Sequence, residues 1–232
     1  MTWIKICGIT NPEDARASVA AGADALGFVF YPPSPRNIDP SRARQIIQGL
    51  PQTIEKIGVF VNQEVDEVWR IAEQACLTAV QFHGEQYRNR SQVPGNRRVL
   101  LSVPWTAMMG NGPERAQSLI SLTATTDNLM AIMIDSGSKD QPGGTGRPFD
   151  WESALPSIAS LQSERPVVVA GGLTPDNVFA AIDILRPWGV DVSSGVEASP
   201  GKKDAAKVRA FIQAVHRADE KNGKHYGNCI HA

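Results

Sequence analysis

Several reactive side chains stand where apolar runs stop. Cys7 ends the run from Trp3 beside Gly8, Asp135 ends LMAIMI, His83 follows AVQF, Gly171 and Gly172 follow VVVA, and Ser193, Ser194 and Gly195 follow VDV. A thiol in such a place, once ionised, takes a proton from carbon or attacks as a nucleophile. Lys5 lies two residues earlier, about 6 to 7 Å down the same strand face. Its ammonium either favours the thiolate or belongs to an ion pair in the interior. A carboxylate at position 135 either caps a turn or serves as an acid, since apolar surroundings raise its pKa toward the range where it donates a proton at neutral pH.

The glycine pair and the Ser-Ser-Gly turn suit phosphate. Glycine lets backbone N–H groups approach an anion, and a neighbouring helix end adds partial positive charge. One such turn is only a turn; two on successive apolar runs, Gly171-Gly172 and Ser193-Ser194-Gly195, point to a shared anion. Arg36 sits among Pro32, Pro33 and Pro35, where a stiff loop either presents its fork to a planar carboxylate or leaves it as a surface charge. His83 is either a proton carrier or a hydrogen-bonding scaffold residue. The long glycine-bearing stretch 136–149 reads as a flap, and its GGTG lacks the spacing and lysine of a nucleotide loop. The four histidines form no i, i+4 pair, so no metal site is expected.

Groups that act together must be brought together by elements. Val-, Ile- and Phe-rich runs alternate with segments of helical period, which is the pattern of βα units in a parallel sheet covered on both faces. Eight strands are expected: Trp3 to Cys7, Ala25 to Phe30, Lys56 to Val61, Ala79 to Phe82, Val99 to Val103, Met130 to Asp135, Pro166 to Ala170 and Val190 to Ser193. Apolar stripes at i, i+3, i+4, i+7 mark helices at Ala43–Leu50, Val178–Leu185 and Val208–Val215. Val65 to Cys76 repeats the pattern, with Cys76 read as a small packing residue; Glu85 to Val93 is a polar, weakly patterned fourth helix. Asn11-Pro12, Asp39-Pro40 and Thr174-Pro175 each read as an N-cap followed by proline in the first turn. The expectation is an α/β fold, a single-domain (β/α)8 TIM barrel over 1–218, with the reactive residues at the C-terminal strand ends. Residues 219–232 turn polar and are expected to be a disordered tail in which Cys229 and His231 do nothing.

A formal net charge of −1 with interspersed signs lacks the footprint of a nucleic-acid binder. Three cysteines without paired spacing argue against disulfides and structural zinc. The N-terminus does not resemble a signal peptide, and no apolar stretch is long enough to span a bilayer. A reducing, cytoplasmic location is expected, with no membrane or nucleic-acid partner; monomer and homodimer both stay open.

In KICGIT (5–10), GADALGFVFYPPSPR (22–36), GVFVN (58–62), VQFHG (80–84), GGTGRPFDW (143–151), AGGLTPDNV (170–178) and VDVSSGVEASPGKKD (190–204), the chain resembles the phosphoribosylanthranilate isomerase family. The resemblance covers everything but the tail. It implies a cofactor-free Amadori rearrangement of N-(5-phosphoribosyl)anthranilate in tryptophan biosynthesis. By motif it implies Cys7 as general base, Asp135 as general acid and Arg36 on the anthranilate carboxylate. Gly172, Ser194 and Gly195 match the phosphate cradle, Asp191 a sugar contact, and Gln81 and His83 line the site. The fifth-strand region, VLLSVPWTAMMGNGP, departs from the family pattern. The histidine-pathway isomerase, resembling a two-aspartate enzyme, fits Cys7 and a single phosphate cradle poorly; indole-glycerol-phosphate synthase would want more lysines at strand ends. A catalytically silent module is the alternative from another class.

Overall fold

The computed structural model describes residues 1–83, 97–108, 114, 116, 118, 121, 128–137 and 148–223. Eight parallel strands close on themselves: β1 (Trp3–Cys7), β2 (Ala25–Val29), β3 (Glu55–Val61), β4 (Ala79–His83), β5 (Arg98–Pro104), β6 (Leu129–Asp135), β7 (Val167–Val169) and β8 (Gly189–Val192). β8 pairs back onto β1, with Lys5 opposite Asp191. Around them lie α1 (Pro12–Ala21), α2 (Pro40–Ile47), α3 (Val65–Gln74), α4 (Trp151–Gln162), α5 (Val178–Leu185) and α6 (Ala205–Lys221). A short antiparallel hairpin, β9 (Glu197–Ser199) and β10 (Lys202–Lys203), follows β8. The expected eight-strand barrel is thus present, and each strand end falls within one residue of its expected place.

Alternation along the strands divides the core. Ile4, Ile6, Leu26, Phe28 and Phe60 face outward into the cluster built with the helices. Trp3, Ala25, Ile57 and Ala79 pack together inside the barrel, and Cys7, Val29, Val59 and Tyr31 form a further inner cluster. Lys5 therefore lies inside the barrel between Trp3 and Cys7, and it is fully buried. Among the described residues no helix is long and apolar enough to cross a membrane.

Asn11 and Asp39 cap α1 and α2 as expected, accepting from the Asp14 and Ser41 N–H groups, with proline in each first turn. Three expectations differ. The helix read from Thr174-Pro175 begins at Val178, because Thr174 and Pro175 form a separate turn. There Asn177 Oδ1 accepts from the Thr174 N–H, and its Nδ2 donates to the Gly172 carbonyl. Cys76 is exposed rather than packed: it adopts φ +59° just beyond α3, where the chain leaves the helix. The tail does not start at 219, because α6 continues to Lys221 and buries Asp219 completely. Thr2 N and Oγ1 donate to the Asp219 carboxylate at 2.7 and 2.6 Å, tying the N-terminus to the last helix. The expected helix at Glu85–Val93, residues 138–147 of the expected flap, and His225, Cys229 and His231 lie outside the described residues.

Candidate active site

The barrel mouth holds a cavity of about 210 Å³. Cys7 (β1), Gln81 and His83 (β4), Asp135 (β6), Asp191 (β8), Arg36 and Ser193 all line it. Strands far apart in sequence contribute because closure brings their C-terminal ends into one ring.

Gly27 makes room for the sulfur: a Cβ there would lie 2.7 Å from Cys7 Sγ and 3.1 Å from Lys5 Nζ. Lys5 thus lies within reach of both the thiol and Asp191. Its ammonium pairs with Asp191 Oδ1 at 2.7 Å, entirely out of solvent, and it also acts on the thiol. Burial pushes the Cys7 thiol above its ordinary pKa, and the Lys5 charge opposes that push. Asp135 is likewise raised by burial, against a hydrogen bond of 2.7 Å from the Gly137 N–H and the field of Lys5. Enclosure and the same ammonium lower His83 to about 4, so its imidazole is neutral at physiological pH. At the cavity wall its Nε2 lies 2.9 Å from Gln81 Nε2. Gln81 Nε2 also donates to Ser102 Oγ at 2.9 Å, while its buried Oε1 meets no partner among the described residues.

Of the five residues read as a phosphate cradle, Ser193 lines the cavity. Gly171, Gly172, Ser194 and Gly195 sit just beyond β7 and β8. Gly171 and Gly172 adopt φ +84° and +65°, backbone that glycine takes without strain. The two turns touch, since a Cβ on Gly195 would lie 3.2 Å from Thr174 Cα. None of the N–H groups of Gly171, Gly172, Ser194 and Gly195 is bonded to an acceptor among the described residues. They are also only partly exposed. Partly enclosed amides without acceptors at two adjoining turns suit an anion. The cradle is tied to the thiol's strand, because Ser193 Oγ donates to the Cys7 carbonyl at 3.1 Å.

Arg36 is at the cavity wall as expected, but not with a free fork. Its Nε and Nη2 donate to Glu197 at 2.8 and 2.7 Å, and Glu197 also accepts from Lys203 Nζ at 2.9 Å. Burial pushes the Glu197 carboxyl up, but its two cations hold it below the usual range. Neither Glu197 nor Lys203 was singled out from the sequence. Both lie within the quoted stretch VDVSSGVEASPGKKD, yet KK beside a glycine reads as an exposed turn, and a partner 161 positions away leaves no local signal. Gly8 was noted only as a neighbour. It adopts φ +82°, and a Cβ there would lie 2.5 Å from Arg36 Cδ.

The model of a family described as "N-(5'phosphoribosyl)anthranilate (PRA) isomerase" matches residues 4–214. N-(5'-phosphoribosyl)anthranilate isomerase of Geotalea uraniireducens (strain Rf4) is 46% identical over 215 residues, covering 92% of this chain and 98% of that one. Its counterpart from Pseudomonas aeruginosa (strain UCBPP-PA14) is 43% identical over 219 residues, covering 94% and 97%. Among solved structures, the phosphoribosyl anthranilate isomerase of Thermus thermophilus superposes with a TM-score of 0.78 at 35% identity over 93% of this chain and 99% of that one. Another, in complex with reduced 1-(o-carboxyphenylamino)-1-deoxyribulose 5-phosphate, gives 0.76 at 38% identity over 94% and 100%. With the family model matched over residues 4–214 and relatives 43–46% identical along nearly all of this chain, the chain belongs to the N-(5'-phosphoribosyl)anthranilate isomerase family.

Proposed function

We propose that this protein catalyses the Amadori rearrangement of N-(5-phosphoribosyl)anthranilate to 1-(2-carboxyphenylamino)-1-deoxyribulose 5-phosphate, with Asp135 as general acid and Cys7 as general base. The observation that carries the assignment is that both groups, from strands β1 and β6, line one cavity together with Ser193 of the second phosphate turn. Protonated Asp135 gives its proton to the furanose ring oxygen. The bond from C1′ to the ring oxygen breaks as the lone pair of the anthranilate amino nitrogen moves in, leaving an open-chain iminium. That cation acidifies the C2′ hydrogen, Cys7 thiolate removes it, and the electron pair collapses to a neutral enolamine that tautomerises to the ketone. The iminium is its own electron sink, so the proposed route needs no cofactor.

The amides of Gly171, Gly172, Ser193, Ser194 and Gly195 hold the phosphate, Arg36 meets the ring carboxylate, and Asp191, Gln81 and His83 face the sugar. Remote binding of this kind orients C2′ and the ring oxygen between base and acid. Positioned acid–base groups contribute roughly 10²- to 10⁴-fold each. Purified protein without added cofactor is expected to consume phosphoribosylanthranilate. Cys7→Ala and Asp135→Asn should each lower kcat by about 10²-fold or more while retaining affinity for a reduced product analogue. Wild-type turnover in either variant would remove that residue's role. A folded protein that neither turns over the substrate nor rescues a tryptophan auxotroph would point to a silent module. A reducing, cytoplasmic setting is part of this reading, supported by three cysteines without paired spacing.

A further inference from the structure

Glu197 meets Arg36 along one edge of the guanidinium only. It takes the side edge, Nε and Nη2, at 2.8 and 2.7 Å. Among the described residues nothing accepts from the end edge, made by Nη1 and the second Nη2 hydrogen, which suits a planar carboxylate. Glu197 is 7% exposed, and its carboxylate is held from two further directions. Lys203 Nζ lies at 2.9 Å, the Gly201 N–H at 3.3 Å, and the 5%-exposed Lys203 is itself fixed where its N–H donates to Asp14 Oδ2 at 2.7 Å. The Lys203 ammonium also donates to the Ser193 carbonyl at 3.1 Å, in the turn that borders the phosphate cradle. Gly8 allows the Arg36 stem to pass without a Cβ in its way.

Charge decides what this frame does. Arg36 and Glu197 alone would form a neutral pair with little attraction for an anion. With Lys203, and with Lys207 Nζ donating to the Glu197 carbonyl at 2.9 Å, three cations stand against the carboxylates of Glu197 and Asp14, a net charge of +1 at a partly enclosed wall, where an ion is screened less than in open water. We propose that Glu197 and Lys203 are positioning residues for substrate recognition: Glu197 turns the end edge of Arg36 toward the ring carboxylate, and Lys203 keeps the cluster cationic while linking it to the phosphate turn. This rests on the reading of Arg36 as the carboxylate contact.

The test compares kcat and KM for N-(5-phosphoribosyl)anthranilate and for N-(5-phosphoribosyl)aniline, which lacks the carboxylate, in wild type, Arg36→Ala, Glu197→Gln and Lys203→Met. The ratio of the two KM values isolates carboxylate recognition from phosphate binding and from any general loosening of the fold. Arg36→Ala should bring the ratio close to one. Glu197→Gln and Lys203→Met should each shrink it about tenfold, the scale of one charge-assisted contact, with kcat on the aniline substrate changed less than about threefold. Lys203→Met replaces a buried ammonium with an apolar chain of similar reach, so the test stands even if Glu197→Gln fails to fold. A wild-type ratio in both positioning variants, with Arg36→Ala impaired, would overturn the inference and leave the role of Arg36 intact. A wild-type ratio in Arg36→Ala would remove both. Equal loss on the two substrates would mean a merely structural cluster and would also overturn it.

Discussion

Burial raises the pKa of both proposed proton-transfer groups, with opposite consequences. For Asp135, a raised pKa enlarges the protonated fraction that an acid needs; for Cys7, it makes the thiolate a stronger base but a rarer one. Catalysis needs protonated Asp135 together with ionised Cys7, so kcat/KM should be bell-shaped in pH. Lys5 is the lever. Replacing it with methionine removes a charge that lowers both Cys7 and Asp135, so in a pH profile of kcat/KM the whole bell should move to higher pH. An unchanged profile would show that the ammonium serves only Asp191.

Asp135 also bears on stability. A carboxyl raised in the folded state contributes stability that is fully present below the ordinary value of 3.8 and is lost as pH rises through its folded pKa. Asn carries no charge to bury and still accepts from Gly137. Asp135→Asn is therefore expected to melt no lower, and by this linkage higher, than wild type at pH 7, with the difference gone below pH 3.8. Thermal melts at the two pH values decide it, and a lower Tm at pH 7 would contradict the cause given for the shift.

At the scale of elements, strand ends do the positioning and the loops after them fix the edges. Gly8 joins β1 to α1 with φ +82°, and Arg36 and Ser193 crowd the place a Cβ would occupy. Gly8→Ala should cost about 1–2 kcal/mol from the left-handed backbone alone. By displacing the Arg36 stem it should also raise KM more than it lowers kcat. Denaturant melts and steady-state kinetics measure the two effects separately; intact KM would mean that Arg36 relaxes freely. The hairpin β9–β10 is the other such device. It places Glu197 and Lys203 as an inner pair behind the Arg36 loop, although its two strands together have five residues.

For the whole molecule, closure of the barrel depends on joining the two ends of the described chain. β8 pairs with β1, and Thr2 donates twice to Asp219 across 217 positions. Removing the acceptor takes two buried hydrogen bonds from the clasp, a cost of about 2–4 kcal/mol. Asp219→Ala should thus lower Tm by several degrees with kcat nearly unchanged, because the clasp lies at the N-terminal end of β1 and the cavity at the other. A variant that loses kcat in proportion would place that end in contact with the chemistry.

What the sequence determined by itself was periodic or local. Eight apolar runs, the caps at Asn11 and Asp39, and the reactive residues Cys7, His83, Asp135 and Ser193 at run ends needed only the side-chain repeat of a strand and the hydrogen bonds of a first helical turn. Motif resemblance supplied roles for Arg36, Asp191 and Gln81 that spacing could not. The tertiary structure alone decided which charges meet. Lys5 finds Asp191, Arg36 finds Glu197 and then Lys203, and Thr2 finds Asp219, all across at least 161 positions except the Glu197–Lys203 step. Buried ions are paired by closing the barrel rather than by neighbours in the chain, and a one-dimensional pattern holds no record of which strand will lie beside which. The same reason hid the end of the last helix: DEK looks like solvent-facing polar sequence until the amide and hydroxyl of Thr2 arrive to satisfy its first carboxylate.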